Sequence, residues 1–239
     1  MGIVLPPVTS FKRVALNLLF PRWCIGCGRE GDYICGACRR LLKAIAPPVC
    51  PRCGRPQLAE STQDSCPGCA GWQGGLDGMR APFLFDGLIR EAVHELKYSN
   101  LKALAPLLAG LMHDFFKSSP VSGEVLVPVP LHPKRLRERG YNQSSLLASE
   151  LGRLCGLPVV EDCLIRRKYT PSQARSAGLG ERQHNVTGAF ACRDGRLKSK
   201  KVILIDDVST SGATLNTCAG VLKDSGAETV WGLVIALEL

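Results

Sequence analysis

The chain has 239 residues, 45% hydrophobic and 21% charged, which excludes a disordered or fibrous protein and leaves room for one large domain or two smaller ones. Lys and Arg number 30 against 21 acids, a formal +9 that invites a nucleic-acid partner. Eight cysteine thiolates on two zinc ions would remove four of those charges and leave the protein mildly basic.

Residues 1–20 read as an N-terminal arm or helix. Lys12 and Arg13 precede a short apolar run, VALNLLF, which Asn17 interrupts. Pro21 and Trp23 follow without a small-residue cleavage site, so no signal peptide is expected. No stretch approaches the ~18 apolar residues of a membrane span. These features predict a cytoplasmic protein with reduced thiols and no membrane insertion.

Residues 21–75 carry eight of the 12 cysteines, in four pairs: CIGC (Cys24, Cys27), CGAC (Cys35, Cys38), CPRC (Cys50, Cys53) and CPGC (Cys66, Cys69). The aromatics here are only Trp23, Tyr33 and Trp72, too little to stabilise so short a segment by burial. Structural zinc supplies what is missing, on the order of 10–16 kcal/mol per site in small zinc peptides. Two C-x2-C knuckles commonly build one tetrahedral four-cysteine site. The eight cysteines are therefore expected to hold two structural Zn2+. Short loops favour sequential pairing, with Cys24, Cys27, Cys35 and Cys38 on one ion and Cys50, Cys53, Cys66 and Cys69 on the other, over a cross-braced arrangement. Disulfides or a redox pair are the rival, disfavoured by the regular pairing without an export signal.

Residues 76–239 alternate strand-length apolar runs with helical patterns. MRAPFLF (79–85) reads as a strand, GLIREAVHELKY (87–98) as a helix, and LKALAPLLAGLMHDFF (101–116) as another containing Pro106. EVLVPVP (124–130) reads as a strand and NQSSLLASELGRL (142–154) as a helix with Asn142 as a candidate N-cap. KVILIDD (201–207) is a strand, ATLNTCAGVLKDSG (213–226) a helix ending in glycine, and TVWGLVIAL (229–237) the closing strand. Strands apolar on both faces between helices imply a mostly parallel, doubly wound α/β sheet.

In such a sheet ligands bind beyond the carboxyl ends of the strands. There the stretch VILIDDVSTSGAT (202–214) places Asp206 and Asp207 side by side, then a loop of small residues, Thr210, Ser211, Gly212, Ala213 and Thr214, opening a helix. Burying either acid unpaired would be costly, so adjacent acids at a strand end point to a ligand. The loop's N–H groups and the helix N-terminus suit a phosphate, and the acids suit hydroxyl donors beside it. Together they describe a sugar phosphate. A nucleotide hydrolase would want a Gly-Lys-containing phosphate loop, and the chain has no such dipeptide.

VILIDDVSTSGAT closely resembles the 5-phosphoribosyl-1-pyrophosphate (PRPP) motif of type I phosphoribosyltransferases. Cysteine pairs, then HELKY (94–98), VPVPLHPKRLRERGYNQ (127–143), SQ…ERQHNVTGAF (172–190) and the PRPP motif follow the order seen in the ComF family, bacterial proteins named for competence and DNA utilisation. The resemblance implies a double zinc ribbon followed by a phosphoribosyltransferase domain that binds PRPP with Mg2+. Asp206 and Asp207 resemble the ribose-binding acids, and 210–214 the 5′-phosphate loop. Lys134 and Arg135, after the strand VLVPVP, stand where a pyrophosphate loop around Leu131 to Arg135 is expected. The polar segment from Thr170 to Phe190 resembles a lid, with Gln173, Arg182 and Asn185 carrying the match.

The resemblance leans toward a transferase acting on an unknown acceptor, which residues near 79–100 or the lid are expected to meet, since the chain ends directly after the closing strand. The rival is a non-catalytic PRPP-binding or single-stranded-DNA-binding factor working with other DNA-uptake proteins. At 6% aromatic residues the sequence offers little for a base-stacking platform.

Overall fold

The computed structural model describes residues 21–58, 65–72, 75–119, 121–168 and 188–239. The chain divides into two compact units, Met1–Leu42 and Lys43–Leu239. The second four-cysteine cluster thus belongs to the same unit as the α/β sheet.

The described part of the first unit is built around its cysteines. A turn closes with Cys24 N–H donating to Arg29 O and Gly28 N–H to Cys24 O, both at 2.8 Å. Ile25 N–H reaches Tyr33 O, and a single helical turn, α1 (Gly36–Arg39), carries Cys38. Ile34 is fully buried.

In the second unit a turn with the same plan, Cys50 N–H to Arg55 O and Gly54 N–H to Cys50 O, precedes the sheet. The elements follow in chain order: β1 (Gly78–Arg80), β2 (Phe83–Leu84), α2 (Gly87–Tyr98), a 3-10 turn (Lys102–Leu104), α3 (Ala105–Ser118), β3 (Val125–Pro128), α4 (Pro133–Arg139), α5 (Gln143–Cys155), β4 (Leu164–Arg166), β5 (Phe190–Cys192), β6 (Lys201–Ser209), α6 (Ala213–Asp224) and β7 (Thr229–Leu237). The order across the main sheet is β1-β7-β6-β3. All these pairs are parallel, and β2 also pairs with β7. Outside β3, a parallel bridge joins Leu126 to Val159. β4 and β5 form a separate antiparallel pair.

The sheet is apolar through its thickness because helices cover both faces. Val125, Val127, Val202 and Leu204 share a core cluster with Leu215, Cys218, Ala219 and Leu222 of α6. Residues of the opposite parity, Leu126, Ile203 and Ile205, are equally buried on the side where α5 packs on β3 and β6 and α3 packs on α5.

Local chemistry explains the boundaries. Asp86 caps α2 by accepting from Gly87 N–H at 2.7 Å, and Asn142 caps α5 through Ser144 N–H at 3.1 Å. The strand expected at 79–85 is two short pieces, because Ala81-Pro82 lies between them and proline cannot donate to a ladder. The helix expected from 101 starts with the 3-10 turn, and Pro106 falls in the first turn of α3, where a missing N–H costs nothing.

Candidate ligand site at the carboxyl edge of the sheet

The two central strands part at the site. β3 pairs with β6 from Val125↔Val202 to Pro128↔Ile205, and the last rung is Val129 N–H to Ile205 O at 2.9 Å. β6 runs on beside β7 to Ser209↔Leu237. Asp206 and Asp207 therefore occupy the first positions of β6 without β3 alongside. From β3 the chain passes through α4 and α5 to Val159 on the outer side; from β6 it passes through α6 to β7 on the other. That divergence is a topological switch point, the place where open α/β sheets bind ligands.

The two acids have different surroundings. Asp206 is partly buried and accepts from Ser144 Oγ at 2.7 Å and from Asp207 N–H at 2.9 Å. Ser144 lies at the start of α5, so the positive end of that helix faces the carboxylate. Burial, then the neighbouring Asp207 charge, push the Asp206 carboxyl up to about 7, against the pull of Ser144 and Lys97. Asp207 is buried. Its Oδ1 accepts from Val208 N–H at 2.7 Å and pairs with Lys97 Nζ at 2.8 Å. Its Oδ2 is buried and has no hydrogen-bond partner among the described residues. Burial alone would lower the Lys97 ammonium, and the Asp207 carboxylate more than offsets it, leaving it raised. Oδ2 is the orphaned acceptor a sugar hydroxyl or a hydrated Mg2+ would satisfy.

Beyond the acids, residues 208–215 line a cavity of about 60 Å³ together with Asp206. Thr210, Ser211, Gly212, Ala213 and Thr214 are contiguous on its wall, and α6 begins at Ala213 with Gly212 at φ +75° as its N-cap. Glycine is required at that position twice over. The backbone is left-handed, and a Cβ would overlap the Trp72 indole. Within 210–214, the side-chain bond onto an amide among the described residues is a long one, Ala213 N–H to Ser211 Oγ at 3.4 Å.

Lys134 and Arg135 stand on the first turn of α4, so the expected loop at Leu131 to Arg135 turns into helix within two residues. Pro133 opens that helix, and His132 caps it by accepting Lys134 N–H on Nδ1 at 3.2 Å. Lys134 is exposed and Arg135 half-buried. Arg135 also lines a cleft of about 440 Å³ with Lys97, Tyr98, Asn100, Glu138, Arg139 and Tyr141. The Arg139 guanidinium lies 5.5 Å from the Tyr98 ring centre and the Lys102 ammonium 4.7 Å from that of Tyr141. Gln173, Arg182 and Asn185, the expected lid residues, fall outside the described residues, as does the arm at 1–20.

Several side chains of the site were not read from the sequence as site residues. Ser144 and Lys97 each hold one acid. Tyr141 OH donates to Leu96 O, and Asn142 Nδ2 to Val129 O at 3.0 Å. GYNQ therefore ties the end of α2 and the end of β3 to α5, which seats Lys97 and Ser144. Arg166 on β4 is a further cation within electrostatic reach of the acids: burial lowers its guanidinium, the charge of Arg135 lowers it further, and Cys218 and then Asp206 oppose both.

Eight cysteines form the two metal centres. The Sγ atoms of Cys24, Cys27, Cys35 and Cys38 lie within 4.8 Å of one another, as do those of Cys50, Cys53, Cys66 and Cys69. The pairing is sequential. A tetrahedron with Zn–S of about 2.3 Å has edges of roughly 3.8 Å. The separations Cys27–Cys35, Cys50–Cys69, Cys53–Cys66 and Cys66–Cys69 are 3.6, 3.7, 3.4 and 3.9 Å. Both sets fit structural zinc. Burial opposes ionisation of Cys50, but the N–H groups of Cys53, Arg52 and Cys66 bring its thiol down to about 7.

A family model described as a double zinc ribbon domain matches residues 15–70. Competence protein ComFC of Bacillus subtilis is 30% identical over 205 residues, spanning 83% of this chain and 81% of that protein. Competence protein F of Haemophilus influenzae is 30% identical over 212 residues, spanning 85% and 90%. Among solved structures, adenine phosphoribosyltransferase from Leishmania tarentolae is 15% identical, covering 59% of this chain and 73% of that one at a TM-score of 0.36. With two zinc-ribbon cysteine sets, a parallel α/β sheet and a relative matched along four-fifths of both chains, the protein belongs to the ComF family of competence and DNA-utilisation proteins.

Proposed function

We propose that the notch at Asp206 and Asp207 and the adjoining loop bind PRPP with Mg2+, and that the protein transfers its phosphoribosyl group to an acceptor as part of DNA uptake or utilisation. The observation that carries the reading is Asp207 Oδ2, a buried carboxylate oxygen with no partner among the described residues, on the residue next to Asp206, which lines a small cavity together with residues 208–215. Asp206 and Asp207 accept from the ribose hydroxyls. Thr210, Ser211, Gly212, Ala213 and Thr214 cradle the 5′-phosphate with main-chain N–H groups and the positive end of α6. Lys134, Arg135 and Arg166 offset the charge of the diphosphate as it leaves, while the acids stabilise the positive charge that develops on the sugar. Mg2+, when bound, supplies further neutralisation of the diphosphate. The acceptor meets the cleft that Lys97, Tyr98 and Arg139 line.

Turnover separates transfer from binding alone. Pyrophosphate release from PRPP, followed with zinc-loaded protein, is expected to require both an acceptor and Asp207, and Asp207→Asn is expected to reduce it at least 100-fold. Release that persists in that variant would remove the site assignment, and binding without release under any acceptor would reduce the protein to a PRPP-binding factor.

A second reading is favoured by the aromatic–cation pairs in the cleft. Tyr98, 65% exposed, lies against Arg139, the kind of surface on which unpaired bases stack. Direct binding of single-stranded DNA there predicts an affinity that falls steeply with salt and weakens in Tyr98→Ala. No measurable affinity at low salt would rule it out.

A further inference from the structure

The second four-cysteine ribbon reaches into the loop that the preceding section assigns to a phosphate, and the following step rests on that assignment. Trp72, three residues beyond Cys69, donates its indole Nε1–H to Ser211 O at 2.9 Å. Arg55, two residues beyond Cys53, donates through Nη2 to Thr210 O. The indole packs against Gly212 so closely that a Cβ has no room. The ribbon holds both donors in turn. Trp72 N–H bonds to Cys69 O at 3.0 Å, and Arg52 donates through Nη2 to Trp72 O at 2.8 Å, its guanidinium 5.7 Å from the indole centre. The Arg55 stem lies along Gly68, in the turn between Cys66 and Cys69.

The peptides after Thr210 and Ser211 are trans, since the one cis bond among the described residues is Pro47-Pro48. In a trans peptide the C=O of one residue and the N–H of the next point in opposite directions. Holding the Thr210 and Ser211 carbonyls on the ribbon therefore turns the N–H groups of Ser211 and Gly212 away from it, and both residues line the cavity of residues 208–215. Left to itself a loop of small residues would sample many peptide orientations, and an anion would have to order them at the moment of binding. We propose that Trp72 and Arg55 are positioning residues for the phosphate loop, and that the second zinc ribbon exists to pre-set the two amides that receive the 5′-phosphate. Neither residue touches the ligand. The zinc centre acts on it through Trp72, Arg55 and the two carbonyls they hold.

The test uses the full-length, zinc-loaded chain and two substitutions that keep the packing. Trp72→Phe leaves an aromatic ring against Gly212 and removes the donor; Arg55→Met keeps the stem on Gly68 and removes the guanidinium. Three quantities are compared with wild type: hydrogen exchange of the 208–216 segment without ligand, affinity for ribose 5-phosphate, and affinity for pyrophosphate with Mg2+. Losing one such bond is expected to weaken ribose 5-phosphate binding about fivefold and to speed loop exchange. Pyrophosphate affinity and a zinc content of two should stay unchanged. Unaltered loop exchange and ribose 5-phosphate affinity with both zincs retained would overturn the proposal, and so would an equal loss for both ligands. Should wild type itself ignore ribose 5-phosphate, the phosphate reading fails, while loop exchange still decides whether the ribbon orders this loop.

Discussion

Lys97 Nζ lies 2.8 Å from Asp207 Oδ1, with only 21% of the lysine side chain and 4% of the aspartate side chain exposed. An ion pair so deeply buried adds little net stability while both members are present, but removing one leaves the other charge stranded. Lys97→Met is therefore expected to destabilise the fold by about 3–5 kcal/mol, and Asp207→Asn by less, because the amide can still accept a hydrogen bond. Urea unfolding of the zinc-saturated variants checks this; a Lys97→Met midpoint equal to wild type would mean the pair is not formed in solution.

Asp206 gives stability a pH dependence of unusual sign for a carboxylate. Its folded value, raised to about 7, lies above the ~3.9 of an unfolded aspartate. Between those values the native state holds a proton that the unfolded state has lost, so stability falls as pH rises from about 4 to 7. Asp206→Asn removes that dependence. The variant should gain stability relative to wild type at pH 8 and lose the advantage at pH 4, in paired denaturation curves. A difference that is flat with pH would contradict the assignment.

Gly212 is the joint between loop, helix and ribbon. Gly212→Ala forces a side chain into a left-handed backbone and against the Trp72 indole, with an expected cost of about 1–3 kcal/mol. Thermal unfolding measures the cost directly. An unchanged transition would show that the indole does not pack there.

The two zinc centres should differ in what their loss does. Elemental analysis is expected to give two zincs per chain, and Cys35→Ser and Cys53→Ser should each reduce this to one. Cys50, Cys53 and Cys69 share a buried cluster with Trp72, Leu204 and Leu215, so Cys53→Ser should also lower the melting transition of the α/β sheet. Cys35→Ser, in the other compact unit, should leave that transition in place. Equal effects from the two variants would contradict the division.

Much of this architecture was legible in the residues because the signals were local. The helical pattern of GLIREAVHELKY marks α2 to the residue, and the unbroken apolar run TVWGLVIAL marks β7 likewise. The cysteine spacing was enough to predict sequential pairing. The acids and the loop could be read because their chemistry is contiguous along the chain. α4 escaped because PKRLRER has no apolar stripe to give a period; its helix is set by Pro133 and the His132 cap. The side chains that hold the site in place escaped for another reason. Ser144 bonds to Asp206 from 62 residues away, and Trp72 bonds to Ser211 across 139. No spacing rule records such contacts, which exist only once the sheet is assembled.

Calorimetric titration of the zinc-loaded protein with PRPP and Mg2+ asks whether the notch at Asp206 and Asp207 takes up PRPP at all. Saturable binding to one site per chain, abolished or weakened at least tenfold in Asp207→Asn, is the predicted result. Heats indistinguishable from dilution in the wild-type protein would contradict it.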